Sequence, residues 1–243
     1  MSSEKRLARI AGVLYLIVAV CGGFSELYVR SSVKVPGDAA ATAHNISASA
    51  TLFRIGALTD LVNIASFLVL ALVLYGLLNP VSAKAALAML VFNAVSVAIM
   101  TANMVNHLGA LQAATSEEYA GAFGAGSSDA LAMLFLDMHS HGYLVAAIFF
   151  GLWLLPLGYM LFKSRYAPRV LGALVMVGSF GYVADVVANV LVPTVGETLT
   201  PVLVLPSVLA EVSLILWLLV KGLDVQRRAD HLPVSVEHVP ASA

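Results

Sequence analysis

Ionisable side chains occur inside long apolar segments of this sequence, where lipid rather than water would surround them. They are Asp60, Asp137, His141, Asp185 and Glu211. An ionisable group inside a bilayer costs about 2.5–3.5 kcal/mol on insertion scales, so such groups turn towards one another or towards a ligand. With at most two arginines to neutralise the four acids, either some of the acids are protonated or a cation lies among them.

Helical spacing places several of these residues on common faces. At 100° per residue, Asp137 and His141 lie within about 40° of each other, and Asp185 has the same relation to Asn189. His139 points away from the Asp137 face. The resulting prediction is a buried polar site drawn from Asp60, Asn103, His107, Asp137, His139, His141, Asp185 and Glu211.

Metal binding is one chemistry that these residue types support. Asp137 and His141 offer two ligand types on one helix face, as zinc sites use, and His139 is a further candidate. A third ligand would be His107, Asp185 or Glu211. A haem would need histidines on facing helices, which only His107 with His139 or His141 offers.

Other cofactors and catalytic motifs are not evident. The sequence has no His-Glu-x-x-His motif, no glycine-rich phosphate loop and no hydrolase elbow around a serine. This absence favours a role other than catalysis.

Three further charged residues suggest ion pairing near the membrane surface. Glu26 and Arg30 stand in the favourable acid-first i,i+4 order, which predicts an ion pair whose arginine extends towards water. Arg54 is expected to anchor the interface or to pair with Asp60. Asparagines in membrane helices commonly hydrogen-bond between helices, so a purely structural polar network is the alternative to a ligand site.

The elements that must position these residues are membrane helices. Of 243 residues, 60% are hydrophobic and 11% are charged, with a mean hydropathy of +0.92; soluble domains carry about 25% charged residues. A membrane span needs about 20 mainly apolar residues. The sequence predicts an all-α domain over residues 1–225 and a disordered cytoplasmic tail over 226–243. The six expected helices are at about 8–30, 52–78, 84–112, 130–162, 168–192 and 199–221.

The distribution of basic residues predicts the orientation of the bundle. With the N-terminus in the cytoplasm, ten of the 13 lysines and arginines lie on the cytoplasmic side, and only Arg30, Lys34 and Arg54 lie outside. The positive-inside rule therefore predicts an N-in, C-in protein of the inner (plasma) membrane, with its polar residues gathered in the outer half.

The net charge of −1 offers no basic field for nucleic acid. The expected partners are the lipid bilayer and a small solute or cation.

Several stretches in order along the chain resemble the family of bacterial multi-pass membrane proteins called domain of unknown function 4386 (DUF4386). They include Arg9-Ile10-Ala11-Gly12, Val35 to Ala43, Leu134 to Asp137 with His139-Ser140, and Glu211 to Gly222. The resemblance covers about residues 6–222 and implies the fold and a membrane location, without adding a mechanism. His141 departs from the tyrosine associated with that position, which shifts interest from His141 to His139.

Three functions are compatible with these observations. The first is binding or transport of a small solute, cation or proton at the buried polar site. The second is a metal-assisted intramembrane enzyme acting on lipid or peptide. The third is a non-catalytic assembly or stress-related membrane factor whose polar residues hold its helices together.

Overall fold

The computed structural model describes residues 3–223, and the predicted tail over 226–243 lies outside the described residues. Helix α1 (Ser3–Gly23) continues through a π-helical segment (Phe24–Arg30) into the single turn α2 (Ser31–Val33). The remaining helices are α3 (Ala39–Ala48), α4 (Ala50–Leu78), α5 (Ala83–Thr115), α6 (Glu117–Phe123), α7 (Ala125–Ser164), α8 (Arg169–Leu191) and α9 (Pro193–Val220).

Six helices of the described chain are long and apolar enough to cross a membrane, with Ser3–Val33 counted as one continuous helix. The predicted all-α fold of six membrane helices is therefore confirmed. Leu27 and Val170 are each 79% exposed, as expected of side chains that face lipid. The protein is a multi-pass membrane protein.

Local sequence explains where the helices begin and end. Ser82 caps α5 by accepting a hydrogen bond from the Ala85 amide at 3.4 Å, and Asp38 caps α3 by accepting one from the Ala41 amide at 2.9 Å. Short polar side chains are favoured at this position because they satisfy amides that have no partner in the first turn. Helix α9 begins at Pro193, earlier than predicted, because proline is tolerated in a first turn.

The two ends of the bundle are distinguished by the helices that lie there. Gly222 lies beside Lys5 and Ala8, so the first and last described helices meet at one end, here called the terminal end. The short helices α3 and α6 lie at the other, here called the loop end. Towards the terminal end, Tyr15, Phe67 and Trp153 pack edge to face and fill the core with aromatic surface.

Small residues let the later helices pack closely. A Cβ on Gly158 would lie 2.7 Å from the Gly172 carbonyl oxygen, and one on Gly172 would lie 2.6 Å from the Phe162 amide nitrogen. Only glycine permits this approach of α7 to α8, which is a common way to pack membrane helices. This close packing holds α7 and α8 together near the turn that joins them.

Candidate functional site

The π-helical segment of the first membrane helix is fastened to α4. Ser25 is buried, and its hydroxyl donates to the Gly56 carbonyl at 2.9 Å and lies 2.7 Å from the Thr59 hydroxyl. Val29 packs where a Cβ on Gly56 would be, so the two helices approach closely. π-helical turns within α-helices are frequent at functional sites, and this one carries both Glu26 and Arg30.

Arg30 lies inside the bundle and bridges two carboxylates. Its Nε donates to Glu26 Oε2 at 2.7 Å, and its Nη1 donates to Asp60 Oδ2 at 2.5 Å. Arg30 is only 7% exposed, whereas the side chain of Glu26 is 53% exposed. The expectation that Arg30 extends towards water is therefore wrong: Asp60 on α4 provides a second carboxylate inside the bundle. Arg54 is exposed and takes part in none of the salt bridges found among residues 3–223.

His107 on α5 presents an unused ring nitrogen to the interior. Its Nε2 lies 3.0 Å from the Phe53 carbonyl oxygen, and since a carbonyl can only accept, Nε2 carries the hydrogen. Nδ1 then holds a lone pair, and this atom is buried without a hydrogen-bond partner. The Phe53 ring stacks on the imidazole with centroids 4.0 Å apart, which fixes the plane of the ring.

Asp60, His107 and His139 form a group of three on α4, α5 and α7. Each offers one ligand atom, and these atoms lie within 4.8 Å of one another. The three residues are 7%, 0% and 4% exposed. The His107 and His139 rings meet edge to face at 5.7 Å.

A cavity of about 20 Å³ adjoins this group and is lined in part by Arg30, Asp60, Asn103, His139 and Tyr143. A water molecule needs roughly 10–15 Å³. The space therefore fits a single ion or water, and an organic solute would not enter it without rearrangement of the helices.

Asn103 holds the backbone around His139. Its Nδ2 donates to the His139 carbonyl at 2.8 Å, and its Oδ1 accepts from Asn106 Nδ2 at 2.9 Å. A Cβ on Gly142 would clash with Asn103 Oδ1. Asn103 is thus a positioning residue, and its place depends on a glycine one turn after His139 that the sequence interpretation did not select.

Asp137 and His141 do not join the group, so the expected ligand pair is not formed. Asp137 makes a salt bridge with Lys34 Nζ at 2.8 Å, and its side chain is 40% exposed. His141 is exposed, and its Nδ1 donates to the Asp137 backbone carbonyl at 2.8 Å. The reason is helix rotation: α7 turns His139 inwards, which directs the opposite face with Asp137 and His141 outwards.

Asp185 belongs to a separate, self-contained network between α8 and α9. Its Oδ1 accepts from Asn189 Nδ2 at 3.0 Å and from the Thr200 hydroxyl at 2.5 Å. Asp185 is 7% exposed. Thr200 was not selected from the sequence, because a threonine in an apolar run carries no charge signal.

Glu211 on α9 lies apart from the cavity, beside Tyr15 and Tyr182. The Tyr15 hydroxyl is buried without a hydrogen bond shorter than 3.5 Å. Asn93 and Trp217 also hold buried polar atoms without partners. Among the described residues, only His107 combines such an atom with two further ligand-type side chains within ligand-to-ligand reach.

Comparisons with known proteins agree with the fold and add no activity. The model of the family described as Domain of unknown function (DUF4386) matches residues 10–222. A stretch of 38 residues is 50% identical to an uncharacterized protein of Archaeoglobus fulgidus and covers 16% of this chain and 24% of that protein. The chain thus spans about a quarter of the length of this curated relative. No solved structure matches the chain.

Proposed function

We propose that this multi-pass membrane protein, which belongs to the DUF4386 family, binds a small cation between its first four membrane helices. The binding residues are Asp60, His107 and His139, with Arg30 and Asn103 holding them in place. Transport of that cation would use the same site as its resting point within the membrane.

The observation that carries this proposal is the buried Nδ1 atom of His107, which has no hydrogen-bond partner. Leaving a buried polar atom without a partner costs about 1–3 kcal/mol. A network that only held the helices together would give His107 Nδ1 a hydrogen-bond partner. Because one ring nitrogen of His107 lies within 4.8 Å of a ligand atom of His139 and of Asp60, a cation held among the three side chains would satisfy it.

Size favours a cation over the other ligands considered. A cavity of about 20 Å³ holds roughly one water-sized particle. Charge supports the same choice: Arg30 contributes one positive charge, and Glu26 and Asp60 contribute two negative charges. With neutral histidines the group therefore carries a net charge of −1 and attracts a cation.

Thermal unfolding of the purified protein in detergent tests this proposal. We expect at least one small cation to raise the unfolding midpoint saturably, since a ligand at 100 times its Kd adds about 2.7 kcal/mol to the free energy of unfolding. Asp60→Asn should remove this response. Asp185→Asn is the matched control, because it changes an equally buried carboxylate outside the group. A panel of monovalent and divalent cations with no effect on the wild type would refute the proposal.

The orientation of the site is a second part of the proposal. We propose an N-in, C-in protein of the inner membrane, because ten of its 13 basic residues then lie in the cytoplasm. The loop end would face outwards and the cation would enter from that side. Alkaline phosphatase fused to the C-terminus should be inactive in cells, and an active fusion would reverse the orientation.

A further inference from the structure

We infer that the cation is a transition metal of the zinc class, held by His107 Nδ1, a ring nitrogen of His139 and a carboxylate oxygen of Asp60. This inference rests on the proposed function and names the ligand class of the same site.

The first step is the chemistry of His107. Its Nε2–H is bound to the Phe53 carbonyl, and metal-ligating histidines almost always donate their second ring N–H to a carbonyl or carboxylate in this way. The arrangement fixes the tautomer and leaves Nδ1 as a ligand. Imidazole nitrogen suits zinc, copper, iron and nickel, whereas magnesium and calcium prefer oxygen. A site with two imidazoles therefore selects a transition metal.

The second step is the distance between the ligand atoms. Zinc lies about 2.0–2.2 Å from nitrogen and oxygen ligands in a tetrahedron, so two ligand atoms on one ion are about 3.3–3.6 Å apart. One ring nitrogen of each histidine and one carboxylate oxygen of Asp60 lie within 4.8 Å of one another. A contraction on the order of 1 Å by side-chain rotation thus closes the group around one ion. Three protein ligands leave a fourth position, and the adjoining cavity has room for one water there.

The third step is the role of Arg30. Its Nη1 binds Asp60 through Oδ2, which leaves the lone pairs of Oδ1 for a metal. Arg30 also binds Glu26, so it keeps a carboxylate partner when a metal draws charge from Asp60. Arg30 thus positions Asp60 without occupying the metal position, and Glu26 offsets part of the repulsion between the arginine and the ion.

Metal analysis of the full chain tests this inference. Tag-free protein in detergent is stripped with a chelator and dialysed against Zn²⁺, and its metal content is measured by elemental analysis. We expect one Zn²⁺ per wild-type chain. His107→Ala and His139→Ala should each weaken Zn²⁺ binding by at least about 100-fold, since loss of an outer-shell partner alone costs about 10–100-fold.

The chain offers a matched control for the histidine variants. His141 lies two residues after His139 on the same helix, is exposed and stands outside the group of three. His141→Ala should keep one Zn²⁺ per chain. If His107→Ala fails to fold because its bond to Phe53 is lost, His139→Ala decides, because its ring makes no hydrogen bond among the described residues. Co²⁺ gives a second readout, since its visible absorption reports the ligands and should change in the His139 variant.

The possible outcomes separate this inference from the proposed function. Stoichiometric Zn²⁺ that depends on His107 and His139 supports both. A wild type that ignores Zn²⁺ and Co²⁺ but is stabilised by Na⁺ or Mg²⁺ through Asp60 overturns the zinc inference and leaves the proposed function standing. Binding of Zn²⁺ that survives both histidine substitutions also overturns the inference. A chain that responds to no cation overturns both.

Discussion

The carboxylates of Asp60 and Asp185 lie at similar burial in the loop-end half of the bundle, but their surroundings use them differently. Around Asp185, Asn189 and Thr200 both donate to one carboxylate oxygen. Around Asp60, Arg30 binds one oxygen, while the neighbouring His107 keeps a buried nitrogen without a partner.

This difference separates a helix-joining network from a ligand site. The two carboxylates are equally buried, so burial does not distinguish the two regions. The buried ring nitrogen of His107 does distinguish them, because a buried polar atom without a partner is costly unless something binds it. Asp185 thus joins α8 to α9, whereas Asp60 belongs to the proposed cation site.

The largest effect should come from removing the charge that balances Asp60. Arg30→Met leaves a buried carboxylate without its cation, which typically costs about 3–5 kcal/mol. Thermal unfolding in detergent should show a correspondingly large fall in the midpoint. The double variant Arg30→Met/Asp60→Leu should recover most of this loss, because replacing a whole buried pair by apolar groups is often neutral. A double variant as unstable as the single would mean that Arg30 acts through other contacts.

A smaller effect should follow from filling the space beside Asn103. Gly142→Ala places a Cβ where it clashes with Asn103 Oδ1, so the amide must move and loses its bond to the His139 carbonyl. We expect a cost of about 1–3 kcal/mol, as for other overpacked positions, together with weaker cation binding. Gly76→Ala is the control, since nothing lies within 4 Å of the added atom. Equal stability of the two variants would show that the position of the Asn103 side chain does not contribute to stability.

Loss of one bond in the Asp185 network should cost less again. Thr200→Val removes the hydroxyl that donates to Asp185 Oδ1. Hydrogen bonds between membrane helices average roughly 0.6 kcal/mol, with a maximum of about 1.7 kcal/mol. The free energy of unfolding should fall by that amount, seen as a small drop in the midpoint of thermal unfolding, while the cation response stays unchanged. A lost cation response in this variant would show that the Asp185 network also takes part in cation binding.

The smallest effect is expected at Asp137. Its bridge to Lys34 joins two side chains that are 40% and 32% exposed, and such pairs contribute about 0–1 kcal/mol. Asp137→Asn should therefore unfold at nearly the wild-type temperature and bind the cation normally. A change in cation affinity measured by titration would show that the helix face with Asp137 and His141 contributes to cation binding.

Within the site, the sequence indicated the residue types better than their grouping. Asp60, His107 and His139 are all visible as ionisable groups in apolar runs without coordinates, although helical spacing turns His139 away from the predicted Asp137 and His141 cluster. The pairing of Asp137 with His141 was also visible as an i,i+4 relation, but that relation holds on any face of a helix. Gly142, Thr200 and the Phe53 carbonyl carry no such signal, since their importance comes only from a neighbouring helix.

The class of the protein follows from its sequence alone: six apolar segments of spanning length require helices, because lipid offers no partner for backbone amides and carbonyls. Which polar residues meet depends on how those helices pack. Periodicity gives the angle between residues on one helix but not the rotation of that helix about its own axis. The π-helical turns at Phe24–Arg30 also change the angle between successive residues of that helix, and Arg30 meets Asp60 inside the bundle.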